Sequence, residues 1–310
     1  MYKEKAMDRI IKVRNLVKSF GDFNAVDEVS FDVNRGELFG FLGVNGAGKS
    51  TTINMLCTLY KKTEGEAEIC GLTLGKDNDE IRKKIGVVFQ ENSLDEFLTV
   101  KENLIMRGYL YEESKMKINR QLHNVVEALN IEHLLNKKFK DLSGGQKRIC
   151  DIGRALMNTP EILFLDEPTT GIDPKTRQNL WNSMEEIQKI NKVTIFLTTH
   201  YMEEASKANN ICIIDKGKIV AEGSPFEIKD KYSRNKLKIE CENKERIEKI
   251  LKDENIIFNE EDNRLCIEVK NTIETIDILN NIKENLKSFE VLQGTIEDAF
   301  INITGMSINK

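Results

Sequence analysis

Short runs of β-branched and aromatic residues alternate along this chain with longer segments whose apolar positions recur at helical spacing. That alternation predicts strand-helix units and a largely parallel sheet. Strands are expected at Ile11–Asn15, Val29–Val33, Glu37–Leu42, Ala67–Cys70, Ile85–Gln90, Ile162–Asp166, Val193–Thr198, Ile211–Asp215 and Lys218–Glu222. Between Thr99 and Asn136 the pattern is almost wholly helical, and a further helix follows in Leu142–Met157. A helical subdomain of about residues 91–157 is therefore expected to interrupt the sheet.

After Pro225 the texture changes, and the polar stretch Asp230–Lys236 marks a boundary between residues 1–229 and a small α+β domain of 230–310. The second part reads as strand (Leu237–Cys241), helix (Lys244–Lys252), hairpin (Ile256–Phe258 with Leu265–Val269), helix (Thr272–Leu286) and a short strand near Phe289. That is the β-α-β-β-α-β order of a ferredoxin-like unit. Thr295, with Asp298 three residues on, is placed to cap a last helix.

Composition narrows the function classes. A formal net charge of -5 gives no global basic field, so no nucleic-acid partner is expected. Apolar runs such as ELFGFLG, EILFLD and VTIFLTT are far shorter than the ~20 residues a membrane-crossing helix needs. The first 15 residues alternate charge with apolar side chains and do not resemble a secretory signal. The six cysteines are scattered without C-x-x-C spacing and read as small core residues.

The stretch GVNGAGKST, Gly43–Thr51, follows a strand and opens a helix, the context in which this spacing means a phosphate-binding loop. Gly43, Asn45, Gly46, Ala47 and Gly48 would close backbone N–H groups around phosphates, helped by the helix N-terminus. Lys49 would neutralise the terminal phosphates, Ser50 would ligate magnesium, and Thr51 would support the α-phosphate side. ILFLDEP, Ile162–Pro168, reads as a central strand ending in two acids. Two acids in a strand-end loop mean little alone. Beside a phosphate loop, Asp166 suits a magnesium shell and Glu167 a general base for water.

Gln90 and His200 each end a further apolar strand, where a glutamine can touch the metal or the water and a histidine can reach a γ-phosphate oxygen. Upstream, Phe20 is placed to stack on a base and Val26 to complete an apolar wall, although an ordinary core role accounts for Phe20 as well.

A second glycine-rich helix start, LSGGQ, has no ligand of its own. Ser143 as N-cap and Gln146 at the third position form a capping box, while Gly144 and Gly145 leave the helix start bare. Ile149, Ile152 and Leu156 supply an apolar stripe for packing. Such a site is most useful if it closes on a nucleotide held by another molecule, which predicts a two-chain sandwich with nucleotides at the seam. Asp173, followed by Pro174, reads as a helix cap, and the same carboxylate is placed to cross that seam.

The ordered set of GVNGAGKST, Gln90, LSGGQ, ILFLDEP, Asp173 and His200 closely resembles the ATPase subunit of ATP-binding cassette transporters, over about Ile10–Ser224. The resemblance implies a P-loop fold with a mostly parallel core sheet, an antiparallel β subdomain and a helical subdomain. It also implies a homodimer that ATP and Mg2+ close, hydrolysis that reopens it, and separate transmembrane permease subunits at the cytoplasmic face of the membrane. The family roles fall on Lys49 and Ser50 for phosphate and magnesium, Gln90 for coupling to the permease, Ser143–Gln146 for the partner's ATP, Glu167 as base and His200 as switch.

Phe89–Leu104 and the ending Thr295–Gly305 look like the daunorubicin-resistance type of drug-export ATPases, whose chains end in a small C-terminal domain. Two positions depart from the family pattern: Ile149 where arginine is common and Gly153 where alanine is usual. A cassette acting in DNA repair would carry a long coiled-coil insertion before LSGGQ, and a ribosomal one would carry two cassettes; this sequence has neither. A regulatory module that binds ATP without turnover would not need Glu167 and His200.

Overall fold

The computed structural model describes residues 8–91, 93–261 and 263–305, the side chains of 189–191 apart. Residues 1–7, Asn92 and Asp262, on which parts of the sequence reading fell, lie outside the described residues. The chain divides into two compact units, Met1–Glu222 and Gly223–Lys310.

In the first unit six strands form one sheet in the order Lys218–Gly223, Asn210–Asp215, Leu38–Leu42, Thr194–Thr199, Ile162–Asp166, Ile85–Val88. The Leu38–Leu42 strand runs parallel to both its neighbours, and parallel pairing continues across to the Ile85–Val88 strand. LFGFL, ILFLD and TIFLTT are buried at every position, as strands covered on both faces must be. A second sheet is antiparallel: the two 12-residue strands Arg9–Phe20 and Phe23–Asn34 pair with each other, and the first pairs with Glu64–Ile69. The two-residue strand Leu72–Thr73 completes it and was too short to show a period in the sequence. Phe31 of this sheet stacks on Phe39 of the parallel sheet at 5.5 Å and also meets Phe41 and Phe196, joining the two sheets through an aromatic core.

Between Val100 and Leu156 the chain forms the expected helical region, with helices Val100–Tyr109, Lys115–Leu129 and Gly144–Leu156. Gly153, one of the departures noted above, has a packing reason: a Cβ there would press on Leu129 Cδ1 at 3.2 Å and Val125 Cγ1 at 3.3 Å. No helix among the described residues is long and apolar enough to cross a membrane.

The second unit has the strand order Phe258–Glu261, Arg264–Val269, Asn235–Cys241, Leu286–Leu292, all antiparallel, with helices Lys244–Asp253 and Glu274–Ile282 between strands. Its boundary falls earlier than the sequence reading put it. The expected boundary between 229 and 230 cuts the helix Pro225–Tyr232, which packs on the closing helix Ile296–Thr304, and Asn302 Nδ2 donates to the Tyr232 carbonyl at 2.9 Å. All six cysteines are free; Cys57, Cys150, Cys212 and Cys266 are buried, and burial pushes the Cys150 thiol up to about 12.

Candidate functional site

Four neighbouring parallel strands bring the candidate residues to one edge of the sheet. The Leu38–Leu42 strand runs into the phosphate loop, its neighbour ends before His200, the next ends at Asp166, and the last ends just before Gln90. Side chains far apart in sequence therefore meet at the carboxyl ends of the strands, the usual ligand position in such sheets. The Ile85–Val88 strand stops two residues short of Gln90, which sits in the following bend rather than in the strand as expected.

The phosphate loop is shaped by its glycines. Gly48 has φ +111°, and a Cβ there would lie 2.5 Å from the Ala25 carbonyl, so only glycine fits. Asn45 and Gly46 are exposed at the turn, and Ala47 is buried, its N–H donating to the Val44 carbonyl at 3.2 Å. Lys49 begins the helix Lys49–Leu56 and is 4% exposed. Its Nζ donates to the carbonyls of Gly43 at 2.8 Å and Val44 at 3.2 Å, and lies 3.2 Å from Glu167 Oε1. Ser50 Oγ donates to Asp166 Oδ1 at 3.3 Å, and Thr198 Oγ1 donates to the same oxygen at 2.5 Å. Thr51 is half-buried in the first turn.

Glu167 stands at φ +45°, a left-handed conformation costly for a residue with a Cβ, held by its N–H donating to Thr198 O and Oγ1, each at 3.1 Å. Its Oε2 accepts from Gln90 Nε2 at 3.4 Å and from Thr170 Oγ1 at 3.2 Å, and His200 Nδ1 lies 3.4 Å away. Burial of this carboxylate would raise its pKa, but Lys49 and His200 outweigh that and hold it below the ordinary glutamate range. An ionised carboxylate so placed can orient water and accept its proton.

The donor set suits a magnesium ion bound chiefly through a ligand. The described residues hold no cluster of three or more metal-type side chains, and Ser50 and Asp166 offer two adjacent oxygens. Magnesium takes one or two protein oxygens and completes its octahedron with water and phosphate. Gln90, expected at the metal as well, here contacts Glu167 instead.

Phe20, expected to stack on a base, is half exposed, edge-on to Tyr60 at 6.0 Å, with Lys18 Nζ 4.8 Å from its ring centre. Lys18 takes one face of the ring, and half of the side chain stays exposed. Val26 corrects the sequence reading: it points into the core with no exposed surface, packed beneath the sheet rather than forming a ligand wall.

At the second glycine-rich helix the capping box forms as read: Ser143 Oγ accepts from Gln146 N at 3.4 Å, and Gln146 Oε1 accepts from Ser143 N at 3.2 Å. The two glycines differ. Gly144 faces open space, whereas a Cβ on Gly145 would fall 2.0 Å from Thr176 Cγ2, so Gly145 lets the helix Pro174–Asn191 approach. Asp173 caps that helix, its Oδ1 accepting from Thr176 N at 3.0 Å, and hydrogen bonds to Thr176 lower its pKa. The apolar stripe read from Ile149, Ile152 and Leu156 was too simple. Ile149 is only half-buried, while Arg148, Asp151 and Arg154 are buried.

Arg148 and Thr198 were missed by the sequence reading. The Arg148 guanidinium donates to the carbonyls of Pro168 at 2.8 Å and Asp166 at 2.9 Å, bracketing Glu167, and to the Phe89 carbonyl next to Gln90. For Arg148 the available signal was the three-residue spacing of Arg148, Asp151 and Arg154 along one helix.

The family model for ABC transporters matches residues 26–170. The Nod factor export ATP-binding protein I of Cupriavidus metallidurans is 39% identical, over 72% of this chain and 74% of its own. The chain belongs to the ABC transporter family. A daunorubicin/doxorubicin resistance ATP-binding protein of Streptomyces peucetius is 32% identical over 96% of this chain and 93% of its own, so that likeness extends through the C-terminal unit. A dimeric ATP-binding cassette solved in a post-hydrolysis state with ADP and phosphate has 29% identity and a TM-score of 0.63, over 69% of this chain and 98% of its own. A cassette from Clostridium perfringens, part of the ABC transporter complex cbiONQ, has 28% identity and a TM-score of 0.68, over 79% of this chain and 95% of its own. This protein is thus an ABC transporter ATP-binding subunit, an ATPase of a class that pairs and works with transmembrane permeases.

Proposed function

We propose that this subunit drives export through separately encoded permeases at the cytoplasmic face of the membrane, as a homodimer that ATP and magnesium close. The names of the relatives from Streptomyces peucetius and Cupriavidus metallidurans support the direction. Phe20 stacks on the base, the Gly43–Thr51 loop holds the phosphates, and Ser50 and Asp166 hold magnesium. That ion, when bound, neutralises charge on the terminal phosphates.

The contact that carries the reading is the ion pair of Lys49 with Glu167. A terminal phosphate competes with Glu167 for the Lys49 ammonium. Glu167, released from Lys49 but still held by Gln90 and Thr170, orients the attacking water and takes its proton, while His200 meets the γ-phosphate. Ser143–Gln146 and Asp173 of one copy complete the site of the other, and Gln90 passes the state of the site to the permease.

Phosphate release tests this directly. Glu167→Gln should bind ATP with an affinity within about threefold of wild type and lose at least ~100-fold in turnover, the scale of a lost general base. Turnover near the wild-type rate would remove Glu167 from the chemistry.

A further inference from the structure

We infer that Glu204 is a positioning residue for hydrolysis, fixing the geometry between Glu167 and His200 from outside the nucleotide site. The inference rests on the proposed role of Glu167. Glu204 lies in the short helix Met202–Ala205 and is 1% exposed. Its carboxylate takes hydrogen bonds from three separate segments: Oε1 accepts from the Thr169 hydroxyl and from Trp181 Nε1 at 3.4 Å, and Oε2 accepts from the Thr199 hydroxyl at 2.6 Å. All three donors are neutral. A buried carboxylate carried on neutral donors is costly to the fold, so packing alone does not account for it.

Two of the donors lead straight to the site. Thr169 is followed by Thr170, whose hydroxyl donates to Glu167 Oε2 at 3.2 Å. Thr199 is followed by His200, whose Nδ1 lies 3.4 Å from the same Glu167 oxygen and has no hydrogen-bond partner. One carboxylate therefore anchors two arms that converge on a single oxygen of the proposed base. Its third partner, Trp181, lies about two turns into the helix that Asp173 caps, so the same group ties that helix to both arms.

Glutamine at 204 keeps the shape and breaks the pattern. Its amide N–H must face one of the two threonine hydroxyls, which then has to turn and accept. Thr199 Oγ1 also accepts from Tyr201 N at 2.9 Å, so a hydroxyl that turns to accept from the glutamine carries two incoming bonds and loses the partner for its own proton beside His200.

The test compares wild type, Glu204→Gln and Glu167→Gln. Three measurements are made: ATP turnover, the Kd for a fluorescent ATP analogue, and the imidazole 15N resonances of His200 in the nucleotide-free protein. Glu204→Gln should melt cooperatively, lose about tenfold in turnover with Kd within about twofold, and shift the His200 resonances. Thr199→Val, which removes one donor, should move the same resonances and serves if Glu204→Gln does not fold. Wild-type turnover in Glu204→Gln, or His200 resonances unmoved in a folded variant, would overturn the inference. Turnover surviving in Glu167→Gln would instead remove the reading beneath it, while the His200 resonances would still report whether Glu204 sets that side chain.

Discussion

The Lys49 ammonium lies 3.2 Å from the Glu167 carboxylate, with both side chains less than a tenth exposed. The proposed phosphate-binding cation and the proposed base neutralise each other directly. Ionisation of Glu167 therefore depends on Lys49. Glu167 has a lowered folded pKa, so its carboxylate stays charged as pH falls through the ordinary glutamate value of about 4.3 and titrates below it. The linked stability is complete above the unfolded value and lost only as pH falls through the folded one.

In the nucleotide-free protein, a carboxyl 13C titration of Glu167, assigned by its loss in Glu167→Gln, should show a midpoint below the ordinary value. Lys49→Met leaves burial dominant and should move that midpoint upward. A midpoint indifferent to Lys49 would break the proposed competition between phosphate and Glu167.

Arg148 should prove hard to replace. Its guanidinium reaches three carbonyls in different directions, a pattern that the ammonium of lysine cannot copy. Arg148→Met leaves buried acceptors unsatisfied and should cost about 3 kcal/mol in urea unfolding. Arg148→Lys should recover less than half of that loss.

Gly145 makes a more local prediction. Gly145→Ala puts a Cβ into Thr176 and should lower both stability and turnover. Thr176→Ala removes the opposing methyl and should restore much of what Gly145→Ala loses, while Gly144→Ala, which faces open space, should fold like wild type. A thermal-melt double-mutant cycle reads the coupling.

Phe20→Ala should weaken ATP binding by about 1–3 kcal/mol, with GTP affected equally because any base can stack. Isothermal titration with both nucleotides checks it.

The sequence was most legible where a buried strand meets a chemical motif. ILFLD was read to its end at Asp166, and the P-loop, Gln90, Glu167 and His200 were predicted to meet because each follows an apolar run. Legibility failed where contacts cross between elements. Arg148 went unread because periodicity cannot show that three carbonyls await it. Val26 is part of an alternating strand, and the face it takes depends on a register with irregular steps near Leu16 and Lys18. The helix Pro225–Tyr232 was cut by the expected boundary at 229 because its partner lies about seventy residues away.

Light scattering on Glu167→Gln, with and without saturating ATP and magnesium, tests most directly whether each copy supplies half of its partner's site. The mass should double on adding ATP, and the doubling should vanish when Ser143→Arg is added to Glu167→Gln. A Glu167→Gln protein that stays single with ATP bound, or dimers that survive Ser143→Arg, would contradict the shared-site account.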